Sequence, residues 1–567
     1  MDVLLLYLKL FGGWLLLFVS FFGWGSIVSF FLGRLFKRDI LTVWDKFWVG
    51  FVFLIFLLQV IHLFVPINAF VSYVIIIGGT FISILYLLKN REIIGEIAHW
   101  ISHNYIFVLS FIVLIALVAN QTFSSNLLYD FGLYYQQTMK WIQNSELIIG
   151  LANIHGRFGY NNASFLLASL YDGVELIPQS FRILSSGMII STLIYSGLKI
   201  WDLVVKRNIT YFNIYWSFAL VLLLSLTFYN GGVNLISVSP DVFVSLLQLV
   251  VIGVLVDMAE KKERVSERFL LLLFLVGGLF CIKLSAAIFV VFSVLVGFFI
   301  LYKGGELTKM FKSRAFWIVS VFIGTGVLVW ILRSILLTGF PFYPFSQLGI
   351  NVDWNVGVEQ AMIETNWIKS WARMPHMDPS VVLGNSEWIM PWIERNKGIM
   401  SFSLPLVSGL LLSVSAIIFS KFKNRFIPLL VVPVSSLFFW FFTAPDVRFA
   451  FAVTWIFFIL SLLLFIDTFK QKKAYLFLLL FISCMFAAVN TTGFYYVQMS
   501  EMEKNLTNNE IQVSCYSIDE RTRICRPQEG DQCWYSKEIC VPNINTDIKI
   551  EYDKNGDIRK IYQTNRL

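Results

Sequence analysis

A polytopic α-helical membrane protein is the fold class this sequence predicts, and three observations carry it. Charged residues make up 14% of the 567 positions and apolar residues 57%, whereas an average soluble chain is roughly 25% charged. Mean hydropathy is +0.72 and Phe alone fills 56 positions, more apolar surface than helices packing only on one another in water can bury. The apolar runs also lack the period-2 alternation of lipid-facing barrel strands, so they read as helices. In such a chain a formal charge of +8 reflects basic residues gathered in cytoplasmic loops, and no nucleic-acid partner is implied.

A hydrocarbon core about 30 Å thick takes roughly 20 apolar helical residues to cross. The runs that meet this length are 8–33, 46–67, 69–88, 104–119, 181–200, 211–229, 241–257, 268–282, 284–302, 315–338, 402–420, 426–443, 449–466 and 473–492. Residues 268–302 are split into a hairpin because both flanks are basic, which puts Ile282, Lys283 and Leu284 at its outer tip. With that split the basic connections share one side. They are Arg34 to Arg38, Lys89 to Arg91, Lys206 to Arg207, Lys261 to Arg264, Lys303 to Arg314, Lys421 to Arg425 and Lys470 to Lys473. The positive-inside bias makes that side cytoplasmic. The first run has no small-residue cleavage site and reads as a retained anchor. Lys9, Gly12, Gly13, Gly23 and Gly25 interrupt it, so thirteen spans with an inside N-terminus or fourteen with an outside one fit the later loops equally.

The opposite side receives two long loops, 120–180 and 339–401, and a tail from 493 to 567. The chain therefore divides into a membrane domain, 1–492, and an extracytoplasmic cap, 493–567. The cap holds 12 acidic and 10 basic residues among its 75, a water-compatible composition. Four of the six cysteines, Cys515, Cys525, Cys533 and Cys540, lie in it, while Cys281 and Cys484 stand alone in apolar runs. Clustered cysteines outside the membrane suggest disulfides. Zinc is the competing reading, but the tail has no His and no Cys-x-x-Cys spacing. The pairing is open at this level.

Chemistry is expected at the outer loops. Loop 120–180 begins with Tyr129, Asp130, Phe131, Gly132, Leu133, Tyr134, Tyr135, Gln136 and Gln137, followed by Lys140 and Trp141. Helical spacing from Asp130 brings Tyr134 and Gln137 onto its face, and the plain alternative is an interfacial helix with Asp130 as its favourable N-terminal charge. Further on, Asn153, His155, Arg157, Asn161 and Asn162 stand between Gly150, Gly156 and Gly159, offering a proton carrier and an anion clamp beside backbone that a ligand can approach. Other outward turns carry Ser239, Pro240 and Asp241, then Lys283 and Ser285, then Pro445, Asp446, Arg448 and Phe449. Charges so close to a bilayer are paired or functional. Asp446 and Arg448 are near enough in sequence to pair with each other, whereas Asp241 and Lys283 lack a local partner. Loop 339–401 adds Asp353, Trp354, Trp367, Trp371, Trp388 and Trp392, which suit amphipathic helices resting on the bilayer, with Glu364, His376 and Glu387 as candidates to line an acceptor groove. If these turns meet, cations there would hold a phosphate leaving group while a carboxylate took a proton from an attacking hydroxyl.

A long first outer loop with an aspartate soon after its preceding span resembles the GT-C superfamily of membrane glycosyltransferases. The segments Tyr129–Tyr134, Asn153–Arg157, Asp353–Trp354, Thr443–Phe449 and Cys533–Trp534 with Cys540 look like a group of uncharacterised bacterial membrane proteins of that class. The resemblance implies Asp130 as general base, inversion at the anomeric carbon and a polyprenyl-(pyro)phosphate sugar donor. It implies an extracytoplasmic glycan or lipid acceptor, in envelope glycan assembly at a bacterial cytoplasmic membrane. Superfamily members often carry a second acidic residue beside that aspartate. Here Phe131 and Gly132 follow it, which leaves dependence on a divalent metal open. Lys283, Arg157 and Arg448 are the candidates for the phosphate by location. The competing functions are a transporter or flippase of a lipid-linked glycan, which would need polar residues along a path through the bundle, and a glycan polymerase or ligase with the same outer chemistry.

Overall fold

The computed structural model describes residues 3–125, 127–228, 232–261, 263–420, 423–470, 496–506 and 511–564. The chain runs through α1 (Val3–Phe36), α2 (Val43–Ile61), α3 (Ala69–Lys89), α4 (Arg91–His103), α5 (Tyr105–Thr122), α6 (Gln136–Asn144) and α7 (Ser164–Asp172). It continues with α8 (Arg182–Val204), α9 (Tyr211–Phe228), α10 (Val233–Ile236), α11 (Pro240–Glu260), α12 (Val265–Ile282), α13 (Ala287–Lys303), α14 (Leu307–Lys312) and α15 (Arg314–Thr338). Then follow α16 (Val358–Arg373), α17 (Pro379–Val382), α18 (Ile389–Asn396), α19 (Met400–Ser420), α20 (Ile427–Thr443), α21 (Val447–Phe469) and α22 (Met499–Asn505). Among the described residues twelve helices are long and apolar enough to cross a membrane. They are α1, α2, α3, α5, α8, α9, α11, α12, α13 with its leading 3-10 turn, α15, α19 and α21, and α20 is a shorter apolar helix of 17 residues. The expected run 473–492, with Cys484 in it, lies outside the described residues.

Helix α1 is one unbroken element of 34 residues, so its glycines do not interrupt it as the sequence suggested. They let neighbouring backbones touch. A Cβ added to Gly23 would stand 1.8 Å from the Gly79 carbonyl oxygen of α3, one on Gly25 1.8 Å from the Lys46 oxygen of α2, and one on Gly50 of α2 1.8 Å from the Phe21 oxygen. In lipid, where helix association rests on close packing, small residues at the contact are what permit this approach. Helix α11 lies at the centre, with 94% of its most apolar window buried, while α3, α5, α15 and α19 present mostly exposed apolar surface. Helix α4 was not foreseen; it is amphipathic and has no buried residue.

The basic connections meet at one end of the bundle. Arg38 pairs with Glu267, Arg268 bonds Asp45 at 2.7 Å and Asp257 at 2.8 Å, and Arg425 pairs with Asp467 at 3.2 Å. The Glu260 carboxylate accepts the backbone N–H groups of Tyr211 and Phe212, tying α9 to α11.

The long loops and the tail meet at the opposite end. The tail forms a sheet of β1 (Val513–Ser517), β2 (Arg523–Pro527) and β3 (Ile539–Cys540), and a hairpin of β4 (Ile548–Tyr552) and β5 (Ile558–Gln563). Cys515 faces Cys525 across the antiparallel pair and is bonded to it, and Cys533 is bonded to Cys540. The four clustered cysteines are therefore disulfides. Cys281 is a buried free thiol. The cap is fastened to the loops by backbone and charge. Ile149 donates to the Arg559 carbonyl at 3.1 Å and accepts from Ile561 N–H at 2.9 Å, and Lys560 pairs with Asp353.

Overpacking a close helix contact costs about 1–3 kcal/mol. Gly50→Ala is therefore expected to lower the melting temperature of the detergent-purified protein. Gly12→Ala, whose Cβ would meet nothing within 4 Å, should leave it unchanged. Equal melting temperatures for the two variants would contradict the backbone contact.

Candidate functional site

Five separate segments deliver charge to one point at the capped end. Asp130 precedes a π-helical turn, Phe131–Tyr135, and Arg157 comes from the 3-10 turn Gly156–Gly159. Asp241 lies in the first turn of α11, after Pro240, where the Ser239 hydroxyl caps its N–H. Lys283 is the last residue before the hairpin turn after α12. Arg448 lies in the first turn of α21.

Arg157 Nη1 is 3.3 Å from Asp130 Oδ1, and Arg448 Nη1 is 3.2 Å from Asp130 Oδ2. Arg448 Nε is 3.4 Å from Asp241 Oδ2, and Lys283 Nζ donates to Asp241 Oδ1. The carboxylates of Asp130 and Asp241 are 19% and 14% exposed. Asp241 suits a helix N-terminus, where a negative charge is favoured. Arg448 does not, and the two carboxylates offset its unfavourable place. Lys283 Nζ also stands 4.0 Å from the centre of the Phe449 ring.

The surrounding groups correct the sequence reading in several places. Tyr135, and not Tyr134, shares the face of Asp130; its hydroxyl is 3.5 Å from Asp130 Oδ2 and 3.4 Å from Ser239 Oγ. The cause is the π turn, whose i to i+5 spacing carries the fifth residue back to the same face. Tyr134 instead packs under the Arg157 guanidinium, 5.5 Å from its ring centre. Gln137 and Lys140 point to the cap and donate to the Trp534 and Ser536 carbonyls at 3.2 Å. The segment is thus buried beneath the tail and does not lie free at the interface. The Gly132 carbonyl accepts Cys533 N–H and Trp534 N–H at 2.8 and 3.0 Å, and a Cβ on Gly132 would stand 2.7 Å from the Trp534 ring.

Asp446 does not hold the Arg448 guanidinium. It accepts the Arg448 backbone N–H at 2.9 Å, as the cap of α21, because two residues along an N-terminus place that N–H, and not the side chain, within its reach. Glu364, from α16, accepts Tyr160 O–H at 2.8 Å, and burial raises its pKa, opposed by Tyr160 and Arg157. Glu387 and His376 are exposed and do not join the cluster. Trp367 and Trp371 are exposed on α16, consistent with an interfacial helix, whereas Trp388 and Trp392 are buried. His155 stays beside Phe158 with its Nε2 unbonded. Burial first and Arg157 second push its pKa down to about 3, so it stands neutral and does not carry a proton at ordinary pH.

Among the described residues no group of three His, Cys, Asp or Glu is placed to hold a metal ion. Asp130 and Asp241 are each engaged by cations, a donor set that does not suit a divalent ion.

A family model described as Domain of unknown function (DUF8201) matches residues 8–455. The chain belongs to that family. No curated protein and no solved structure matches it. The stretch shared with DUF8201 contains all five charged residues of the cluster and ends before the cap.

His155 gives a pH prediction. Between pH 6.5 and about 3 the unfolded chain takes a proton that the folded His155 refuses, so stability is lost as pH falls through that window, by up to about 1.4 kcal/mol per pH unit. Melting temperatures measured from pH 7.5 to 4.5 should fall more steeply for the wild type than for His155→Gln. Parallel profiles would contradict the assignment.

Proposed function

We propose that this protein is an inverting glycosyltransferase that moves a sugar from a lipid-phosphate carrier, of the polyprenyl class, to an acceptor hydroxyl. The observation that carries the reading is Asp130 held between Arg157 and Arg448 at the capped end of a membrane-spanning bundle. Arg157, Arg448 and Lys283 supply fixed donors for a phosphate or pyrophosphate group. When that group draws the guanidiniums toward itself, Asp130 is freed to accept a proton. The acceptor oxygen attacks the anomeric carbon and the bond from that carbon to the phosphate oxygen breaks, its electron pair leaving on the phosphate. The acceptor proton passes to Asp130. A single displacement of this kind inverts the anomeric centre.

The carrier's chain would lie against the exposed apolar faces of the spanning helices. The capped face is proposed to be extracytoplasmic, in a bacterial cytoplasmic membrane, on the positive-inside bias of the basic end and on the two disulfides in the cap. Transport is less well supported, because among the described residues the charged side chains of the spans gather near helix ends and form no ladder between them.

Transfer from a polyprenyl-phosphate sugar should be measured in reconstituted vesicles. Asp130→Asn is expected to lower the turnover rate by roughly 10²- to 10⁴-fold, and Lys283→Ala to raise the KM for the donor. Full activity in both variants overturns the assignment.

A further inference from the structure

Helix α4 is tied at both ends to helices of spanning length. Asn90 is at once the C-terminal cap of α3 and the N-terminal cap of α4, and Asn104 joins α4 to α5 in the same way. Both corners are closed by hydrogen bonds. Asn90 Nδ2 donates to the Tyr86 carbonyl at 2.8 Å, and the Asn90 carbonyl accepts Ile93 N–H at 3.1 Å. Asn104 Nδ2 donates to the Trp100 carbonyl at 2.6 Å, and the Asn104 carbonyl accepts Phe107 N–H at 3.0 Å. The 13 residues of α4 reach about 20 Å at the rise of an α-helix. Because α3 and α5 are both long and apolar enough to cross a membrane, α4 begins and ends at one bilayer surface. A straight helix held there at both ends lies along that surface.

Its two sides differ in chemistry. At the helical period Ile93, Ile94, Ile97, Trp100 and Ile101 share one side, and Glu92, Glu96, His99 and His103 share the other. No residue of α4 is buried, and Ile94, Ile97 and Ile101 are 51%, 53% and 46% exposed. Apolar exposure continues into both neighbours, at Leu85 and Leu88 on α3 and at Ile106 and Leu109 on α5. The Trp100 ring stands 6.1 Å from the rings of Phe107 on α5 and Trp201 on α8. Trp201 lies between Lys199 and Lys206, where α8 runs out into a basic connection, so α4 sits at the basic end of the bundle. Tryptophan is favoured at a membrane surface.

We propose that α4 is an interfacial helix whose isoleucine face lies in the headgroup–acyl boundary of the leaflet at the basic end, with its Glu and His stripe turned to water. The partner is the lipid surface, engaged by apolar contact. Within α4 two glutamates stand against one arginine, so attraction to anionic headgroups does not supply the hold. The assignment is independent of the reaction proposed for the capped end.

Spin labels on the full chain in lipid nanodiscs, one chain per disc, test it. A Cys281→Ser/Cys484→Ser background leaves only the introduced cysteine to react, because the other four are disulfide-bonded. Every labelled position is exposed, so the fold tolerates the labels. Ile94→Cys, Ile97→Cys and Ile101→Cys labels are expected to collide preferentially with dissolved oxygen, at depths about 5–10 Å into the boundary. Glu92→Cys, Glu96→Cys and His99→Cys labels should collide preferentially with a water-soluble nickel chelate. Depths should be equal in discs of neutral lipid and in discs containing anionic lipid. Preferential collision with the chelate at the isoleucine positions means a face turned to water and overturns the proposal. Shielding from both reagents means that protein covers the face and overturns it too. Depth that appears only with anionic lipid overturns attachment by apolar contact.

Discussion

Arg448 stands at the positive end of a helix, where a cation is disfavoured, and it is kept there by two carboxylates that come from elsewhere in the chain. Asp130 takes one nitrogen and Asp241 takes another. Each carboxylate then has a second cation, Arg157 or Lys283. Removing any one member would leave a partly buried charge without its partner, an outcome costlier than the pair itself is favourable. This mutual dependence fixes the relative positions of α11, α12, α21 and the two turns of the first long loop. The site is thus made of the same contacts that close this end of the bundle.

The cap completes that arrangement by backbone bonding. Gly132 lies directly after the Asp130 segment, and its carbonyl is held by the Cys533–Trp534 backbone, while the indole of Trp534 fills the space that a side chain at 132 would need. Strand β5 extends the anchoring to Ile149 on one loop, and Lys560 to Asp353 on the other. The disulfides hold a tail too small to bury a large core of its own. The Asp130 segment is thereby held against the cap by main-chain hydrogen bonds as well as by its own π turn.

The legible features were those with a local cause. Helical spans followed from apolar length, and the sharing of one end by the basic loops followed from alternation. Asp130, Arg157, Asp241, Lys283 and Arg448 stood out because charge near a bilayer is costly. What escaped were features set by geometry between segments. The π turn exchanged Tyr134 for Tyr135, since a 3.6-residue period does not foresee an extra residue in a turn. Asp446 and Arg448 looked like a pair by spacing, but a helix N-terminus turned the aspartate to a backbone N–H. The glycines of α1 looked like interruptions, although they are the places where helices touch.

Composition and hydrophobic run length by themselves determined a helical membrane protein with a polar, cysteine-bearing tail, because the cost of exposing backbone and charge to hydrocarbon acts on each segment separately. Only the tertiary structure decided which cation meets which carboxylate and which cysteines join. The charge pairs join residues tens to hundreds of positions apart, a distance set by how helices pack, and the cysteine pairs, ten and seven residues apart, follow from how the cap's strands and turns fold.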